Sequence, residues 1–258
     1  MSTGPRFSSL VWVVGENHNL HEVVDLSSHR RLREQGAFLS NYFAVTHPSG
    51  PNYRAMAAGR YWTQDERLDQ QKPTFASQAK LPVTVWKFRG WPARKHNPFY
   101  DLKTPYSTVE DLDLETLPPR CVLYVGLDDD NNGHDGSLDV ADANFNELID
   151  RLQASAWFNT PVDGLYPALF LTWDEAYRAR TNQVFAAFMG RGVKPGAEAV
   201  QELNHFSFCR LCCENFGVSP LAHAAQAESI LGIWSEPSPT PSPEADPDRA
   251  AAEEPGPR

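Results

Sequence analysis

Four polar clusters and a lone histidine in this sequence are of the types that hold ions or attack phosphorus. They are Glu16-Asn17 in "VVGENHN", Ser49 in "THPSGPNYRAMAAG", the acidic run Asp128–Asp130 with His134 and Asp135 in "DDDNNGHDGS", Asp174-Glu175 in "LTWDE", and His205 in "NHFSF". Taken singly, each has an ordinary structural explanation. Acidic residues after a strand commonly cap helices, Asp/Asn/Gly runs make solvated turns, and a histidine at a helix start needs no chemistry. An EF-hand is disfavoured for "DDDNNGHDGS", because no helix precedes it and the closing glutamate is absent. Taken together, several carboxylates, an amide oxygen, a serine and two histidines make a site for a hard or borderline divalent cation beside a nucleophile. Such an ion lowers the serine pKa, neutralises an anionic substrate and holds the attacking oxygen in line. That combination suits phosphoryl transfer.

The elements that must position these residues follow from hydropathy. "SLVWVVGEN" reads as a buried strand, followed by the helix-like "HNLHEVVDLSSHRRLREQG" up to Gly36. "AFLSNYFAV" reads as a second strand or extended segment. Ser49, between two prolines, is expected on a fixed non-helical corner, with "NYRAMAAG" a short helix after it. Gly50 is expected to leave room for a phosphoryl group at the backbone. Further strands are expected at "PVTVWKFR", "CVLYVGL" and "YPALFLTWDE", and helices at "DVADANFNELIDRLQAS" and "NHFSFCRLCCENFG". Strands alternating with helices give an α/β fold with a mostly parallel sheet covered on both faces, and the polar groupings then fall beyond the carboxyl ends of its strands, where such sheets bind ligands.

Composition bounds the rest. With 258 residues, 41% hydrophobic and 22% charged, the chain can bury a large single core, expected over residues 1–234. The middle section, about 60–118, rich in Pro, Trp, Gln and charge, reads as an insertion or cap. The Pro-rich acidic segment 235–258 reads as a disordered tail. A net charge of −10 argues against a nucleic-acid partner. The N-terminal apolar run Leu10–Val14 is too short for a signal or a membrane span, so a cytoplasmic location and no membrane partner are expected. Cys121, Cys209, Cys212 and Cys213 suit buried reduced thiols better than disulfides or a zinc site.

In this order, "VVGENHN", "THPSGPNYRAMAAG", "RKHNPF", "DDDNNGHDGS", "LTWDE" and "NHFSFCRLCCENFGV" resemble the signature segments of the phosphoesterase family of the alkaline phosphatase superfamily, which contains bacterial acid phosphatases and phospholipase C enzymes. The resemblance spans about residues 10–220. It implies an alkaline-phosphatase-like three-layer αβα sandwich, with Glu16, Asn17, Ser49, Asp174 and Glu175 as metal ligands and Ser49 as the nucleophile. It assigns His134 and His205 to catalysis and phosphoryl contact, and Asn52 and His96 to substrate binding, with Asp128 and Asp135 as helpers. The implied cofactor is a divalent ion (Mg, Mn, Ca, Zn or Fe), and the implied substrate a small-molecule phosphate monoester hydrolysed through a phosphoserine. Phosphodiesterase or phospholipase C activity at the same residues is the second reading, and a catalytically inactive phosphate-ligand-binding protein the third. The chain departs from the family where it has Leu127-Asp128 in place of Pro-Asp, and where "TWDEAYRAR" lacks the glycine-rich continuation of the phospholipases. The latter departure favours a small soluble phosphatase over a phospholipase, and the expected lack of a secretion signal favours a cytosolic metabolite as substrate.

Overall fold

The computed structural model describes residues 4–61, 72–100, 102–177 and 181–235. The expected tail at 235–258 therefore lies outside the described residues, apart from Ser235. Among the described residues, ten strands and seven α-helices follow in chain order: β1 Leu10–Gly15, α1 Leu20–Val23, α2 Ser27–Gln35, β2 Ala37–Leu39, β3 Tyr42–Phe43, α3 Ser49–Ala58, α4 Phe75–Gln78, β4 Val83–Arg89, β5 Ser107–Val109, β6 Val122–Leu127, α5 Leu138–Ala154, α6 Ala156–Asn159, β7 Ala168–Trp173, β8 Ala186–Met189, β9 Ala197–Ala199, β10 Leu203–Asn204 and α7 His205–Asn215. Eight strands form one sheet in the order β5-β4-β6-β1-β7-β8-β2-β9, and β3 pairs with β10 in a small second sheet. From β5 to β7 all neighbours are parallel, and β8 alone runs against its neighbours β7 and β2.

The three central strands, LVWVVG, VLYVGL and ALFLTW, are buried at every position. A strand covered on both faces cannot alternate polar and apolar residues, which is why these read as continuous apolar runs. Side chains of β7 divide between the two helical layers. Phe170 stacks on Phe208 of α7 at 4.1 Å, whereas Trp173 meets Phe145 of α5 edge-on and donates its indole N–H to His29 of α2 at 2.8 Å. The α3–α7 and α2–α5 pairs thus cover opposite faces, giving an α/β fold of three layers. The section 60–118 supplies β4 and the edge strand β5 to the sheet itself.

Two expectations differ from the structure. The helix expected from His18 to Gly36 is broken after Val23, with Val24 as the C-cap, and α2 starts anew at Ser27. The Asp142 carboxylate of α5 accepts hydrogen bonds from Ser27 N (3.1 Å) and Ser28 N (2.8 Å), satisfying first-turn donors from outside the helix. The Ser49 corner is helical: Ser49 is the first residue of α3 and Pro48 its N-cap. A proline at the third helical position, Pro51, removes no intrahelical bond, because that N–H has no intrahelical acceptor. Gly50 before it has no Cβ to clash with the proline ring. All four cysteines are buried and free, as their spacing predicts.

Candidate active site

Register sets the frame of the site. Gly15 of β1 is paired with Trp173 of β7, and β6 lies on the other side of β1 in parallel, so the residues following the three strands emerge side by side. These are Glu16-Asn17, the loop from Asp128, and Asp174-Glu175. Backbone bonds tie them together: Asp174 N donates to Gly15 O and Glu16 N to Asn132 O, both at 3.0 Å. The Trp173 indole fills the space between them, because a Cβ added at Gly15 would lie 2.7 Å from its ring, and one at Gly133 2.9 Å. Glycine at 15 and 133 is thus what lets the Trp173 ring pack against both β1 and the loop from Asp128.

Around this frame the predicted residues divide into three groups. Ser49 Oγ lies 3.0 Å from Glu175 Oε1, to which it donates, and 3.4 Å from Asn17 Oδ1. Asn17, at φ 56°, donates its backbone N–H to Asp174 Oδ1 at 2.9 Å. Asparagine tolerates that left-handed conformation better than most residues. Glu16, Ser49, Asp174 and Glu175 are all buried. Being first in α3, Ser49 also sits at the positive end of a helix, which favours a negatively charged oxygen there.

The second group is built around His96. Its Nδ1 is bonded to Asp129 Oδ1 at 3.0 Å, and its Nε2 lies 3.2 Å from Glu16 Oε2 without forming a hydrogen bond. Tyr124 anchors the His96 carbonyl at 2.7 Å. The ring of His134 is 5.8 Å from that of His96, and His134 Nδ1 is bonded to Asp135 at 2.7 Å. His96 and His134 therefore stand together on the Glu16 side.

The third group does not face the site as expected. His205 is fully buried, with Nε2 on the Asp174 carbonyl (2.7 Å) and Nδ1 on the Tyr42 hydroxyl (3.1 Å). Both nitrogens are used within the protein, so the phosphoryl contact expected of His205 is replaced by support of the acidic pair. Asn52 likewise serves the backbone, its Oδ1 accepting from Val45 N (3.0 Å) and Thr46 N (3.2 Å) and its Nδ2 donating to Thr46 O (2.9 Å). A substrate contact from Asn52 is not seen, because its polar atoms hold the loop before Ser49. The room expected above Gly50 is taken up too: a Cβ there would lie 2.9 Å from Arg54 Nη1.

No protein-family model matches the chain. The chain is 28% identical to the phosphatidylinositol-3-phosphatase of Mycobacterium tuberculosis, over 90% of this chain and 84% of that protein. It is 23% identical to the phosphate-repressible acid phosphatase of Penicillium chrysogenum, over 90% of this chain but 65% of that protein. The fold is similar to that of a protein in the alkaline phosphatase superfamily from Vibrio parahaemolyticus, with a TM-score of 0.65 at 11% identity over 82% of this chain and 67% of the other. Relatives named phosphatases and a fold shared with the alkaline phosphatase superfamily together support a phosphoesterase of that superfamily. This phosphoesterase is accordingly a hydrolase acting on phosphoric ester bonds.

The electrostatics of the candidate site fit a bound cation. Burial, reinforced by the charge of Asp174, pushes the Glu16 carboxyl well above the usual carboxylate range, and burial together with Glu175 pushes Asp174 up to about 6. Burial and the neighbouring Lys95 bring His96 down to about 4, so it is a neutral imidazole near neutral pH. Glu16 Oε2, Asp174 Oδ2 and His96 Nε2 are buried atoms without a hydrogen-bond partner. Buried carboxylate oxygens left unpaired are costly, and an ion bound among them removes that cost. The donor set of Glu16, Asn17, Ser49, Asp174 and Glu175 is all oxygen and fits a hard divalent ion. Among the described residues, Asp129, His134 and Asp135 form a tighter set, with ligand atoms within 4.8 Å of one another, but it is largely exposed, and Asp129 and His134 already bond to His96 and Asp135.

Sequence reading did not pick out three contributors. His47 bonds to Glu175, the Tyr53 hydroxyl donates to Glu16, and Tyr42 holds His205, whereas Asp129, in the acidic run already singled out, orients His96. Tyr53 had a local signal, since it lies one helical turn after Ser49 on α3. The others depend on contacts between residues far apart in the chain.

Proposed function

We propose that this phosphoesterase is a metal-dependent phosphomonoesterase that works through a phosphoseryl intermediate on Ser49. The observation that carries the reading is the placement of Ser49 Oγ within 3.0 Å of Glu175, beside buried carboxylate oxygens of Glu16 and Asp174 that lack partners. Glu16, Asn17, Ser49, Asp174 and Glu175 would hold a divalent ion, which when bound lowers the serine pKa and offsets the charge of the phosphoryl oxygens. Ser49 Oγ attacks phosphorus as its proton passes to Glu175 Oε1. The Oγ–P bond forms, the bond from phosphorus to the leaving alcohol breaks, and the alcohol takes a proton from His134. Water, giving a proton to His134, then attacks phosphorus, the Oγ–P bond breaks, Ser49 Oγ takes back the proton held by Glu175, and phosphate leaves. His96, fixed by Asp129, lines the Glu16 side as a neutral hydrogen-bonding group, and the positive end of α3 faces the transferred phosphoryl group.

Ser49→Ala is expected to lower kcat on p-nitrophenyl phosphate by more than roughly 10³-fold with an unchanged circular dichroism spectrum. Near-normal turnover in that variant overturns the serine assignment. Dialysis against EDTA is expected to abolish activity, with recovery on adding back a divalent ion.

A phosphorylated lipid headgroup is a second substrate reading, supported by the name of the 28% identical mycobacterial relative and by the exposed aromatics Trp91 and Tyr100 flanking the turn that carries His96. Hydrolysis of phosphatidylinositol 3-phosphate in mixed micelles at a kcat/KM well above that of p-nitrophenyl phosphate supports it. Cleavage of bis(p-nitrophenyl) phosphate in preference to both points to the diesterase reading instead. No helix among the described residues is long and apolar enough to cross a membrane, and the cytoplasmic location stays part of the proposal.

A further inference from the structure

His47 lies two residues before the proposed nucleophile, and 47% of its side chain is exposed, yet its Nδ1 is bonded to Oε2 of Glu175, a carboxylate only 8% exposed. The other oxygen of that carboxylate, Oε1, accepts from Ser49 Oγ at 3.0 Å. Both oxygens of Glu175 are therefore assigned, one to the serine and one to the imidazole. A carboxylate tethered at a single oxygen can turn about its last torsion, whereas one held at both cannot.

The backbone on which His47 sits is itself fixed. Asn52 bonds Val45 and Thr46 on one side, and Asn182 bonds from the other, its Nδ2 donating to Thr46 O at 3.0 Å while its Oδ1 accepts from Ala176 N at 2.9 Å. Asn182 thereby ties the loop bearing His47 to the residue after Glu175, and the main chain sets the spacing of imidazole and carboxylate before any ligand arrives. A histidine with 47% of its side chain exposed, held in this way on a carboxylate only 8% exposed, is placed to orient that carboxylate.

We propose that His47 is a positioning residue that fixes the carboxylate of Glu175 in the orientation that receives Ser49 and binds the divalent ion. Outer partners that hydrogen-bond to a metal-binding carboxylate commonly contribute 10–100-fold in metal affinity or rate. The inference rests on the reading of Ser49 and Glu175 given above.

The test compares His47→Leu, which removes the donor, with His47→Asn, whose amide N–H can reproduce the Nδ1 contact. For each full-length variant, Mn²⁺ affinity is measured by isothermal titration calorimetry without substrate, kcat and KM on p-nitrophenyl phosphate are measured at saturating Mn²⁺, and the melting temperature is recorded. The expected result is about a 10–100-fold loss in Mn²⁺ affinity, in kcat or in both for His47→Leu, with KM changed less. His47→Asn is expected to recover most of it, at melting temperatures close to the parent's. Parent-like affinity and kcat in His47→Leu overturn the proposal. So does an equal loss in both variants that tracks a fall in melting temperature. If Ser49→Ala is inactive and His47→Leu is unimpaired, the positioning role fails alone; if Ser49→Ala is active, the underlying site assignment fails.

Discussion

At the scale of single residues, the site depends as much on what is missing as on what is present. Gly15 and Gly133 face the Trp173 ring so closely that a methyl group would overlap it, and the residues after them, Glu16 and His134, belong to the proposed site. Gly15→Ala is expected to destabilise the protein by about 1–3 kcal/mol through overpacking. In a domain of this size that is a fall in melting temperature of about 2–4 °C per kcal/mol, readable by calorimetry. Activity should fall further than the folded fraction does, because the clash also displaces Glu16. An unchanged melting temperature would show that the ring has room to move.

At the scale of elements, α3 and α2 show how neighbours decide where a helix begins. Two prolines within four residues argue locally for a non-helical corner, but the first turn of a helix tolerates them, and α3 opens at Ser49 itself. That start puts the serine at the positive end of ten helical residues, which a free corner would not. In α2 the start is fixed from another element, by Asp142 of α5. Asp142→Ala is expected to cost about 0.5–2 kcal/mol, the usual worth of an N-terminal cap, with activity per folded molecule changed less than stability because its carboxylate bonds to Ser27 and Ser28 of α2 and not to a candidate site residue. Urea denaturation and specific activity check the two parts separately.

At the scale of the whole molecule, the buried His29 couples stability to pH. Its Nε2 accepts from the Trp173 indole at 2.8 Å, so that nitrogen is unprotonated, and burial lowers its pKa from the ordinary value of 6.5 to about 3. Unfolding returns the ring to water, where it binds a proton below about pH 6.5. Between about 6.5 and 3 the unfolded chain thus binds more protons than the folded one, and stability falls as pH falls, by up to roughly 1.4 kcal/mol per pH unit from this group. The contribution is fully present above pH 6.5. Melting temperatures measured from pH 7.5 to 5 should drop more steeply for the parent than for His29→Gln, and equal slopes would remove His29 as the cause. The same histidine buttresses Trp173, so acid weakens the support on which the active site is mounted.

The sequence by itself determined the class of fold and the cast of the site. The continuous apolar runs at Leu10–Gly15, Val122–Leu127 and Ala168–Trp173 could belong only to strands buried on both faces, and the polar residues just beyond them had to emerge at one end of a parallel sheet. The ordered motifs then pointed to phosphoester chemistry before any coordinate was known. Tertiary structure decided which of those residues face the reacting atoms. His205 and Asn52 carry the right groups in the right motifs, yet their polar atoms are consumed by Tyr42, the Asp174 carbonyl and the loop before Ser49. His47 and Asp129 stood in plain view but acquire meaning only through Glu175 and His96, 128 and 33 residues away along the chain. Motifs report which functional groups are available, whereas a hydrogen bond spends a group on one partner, and that choice between residues distant in sequence is made only when the chain is folded.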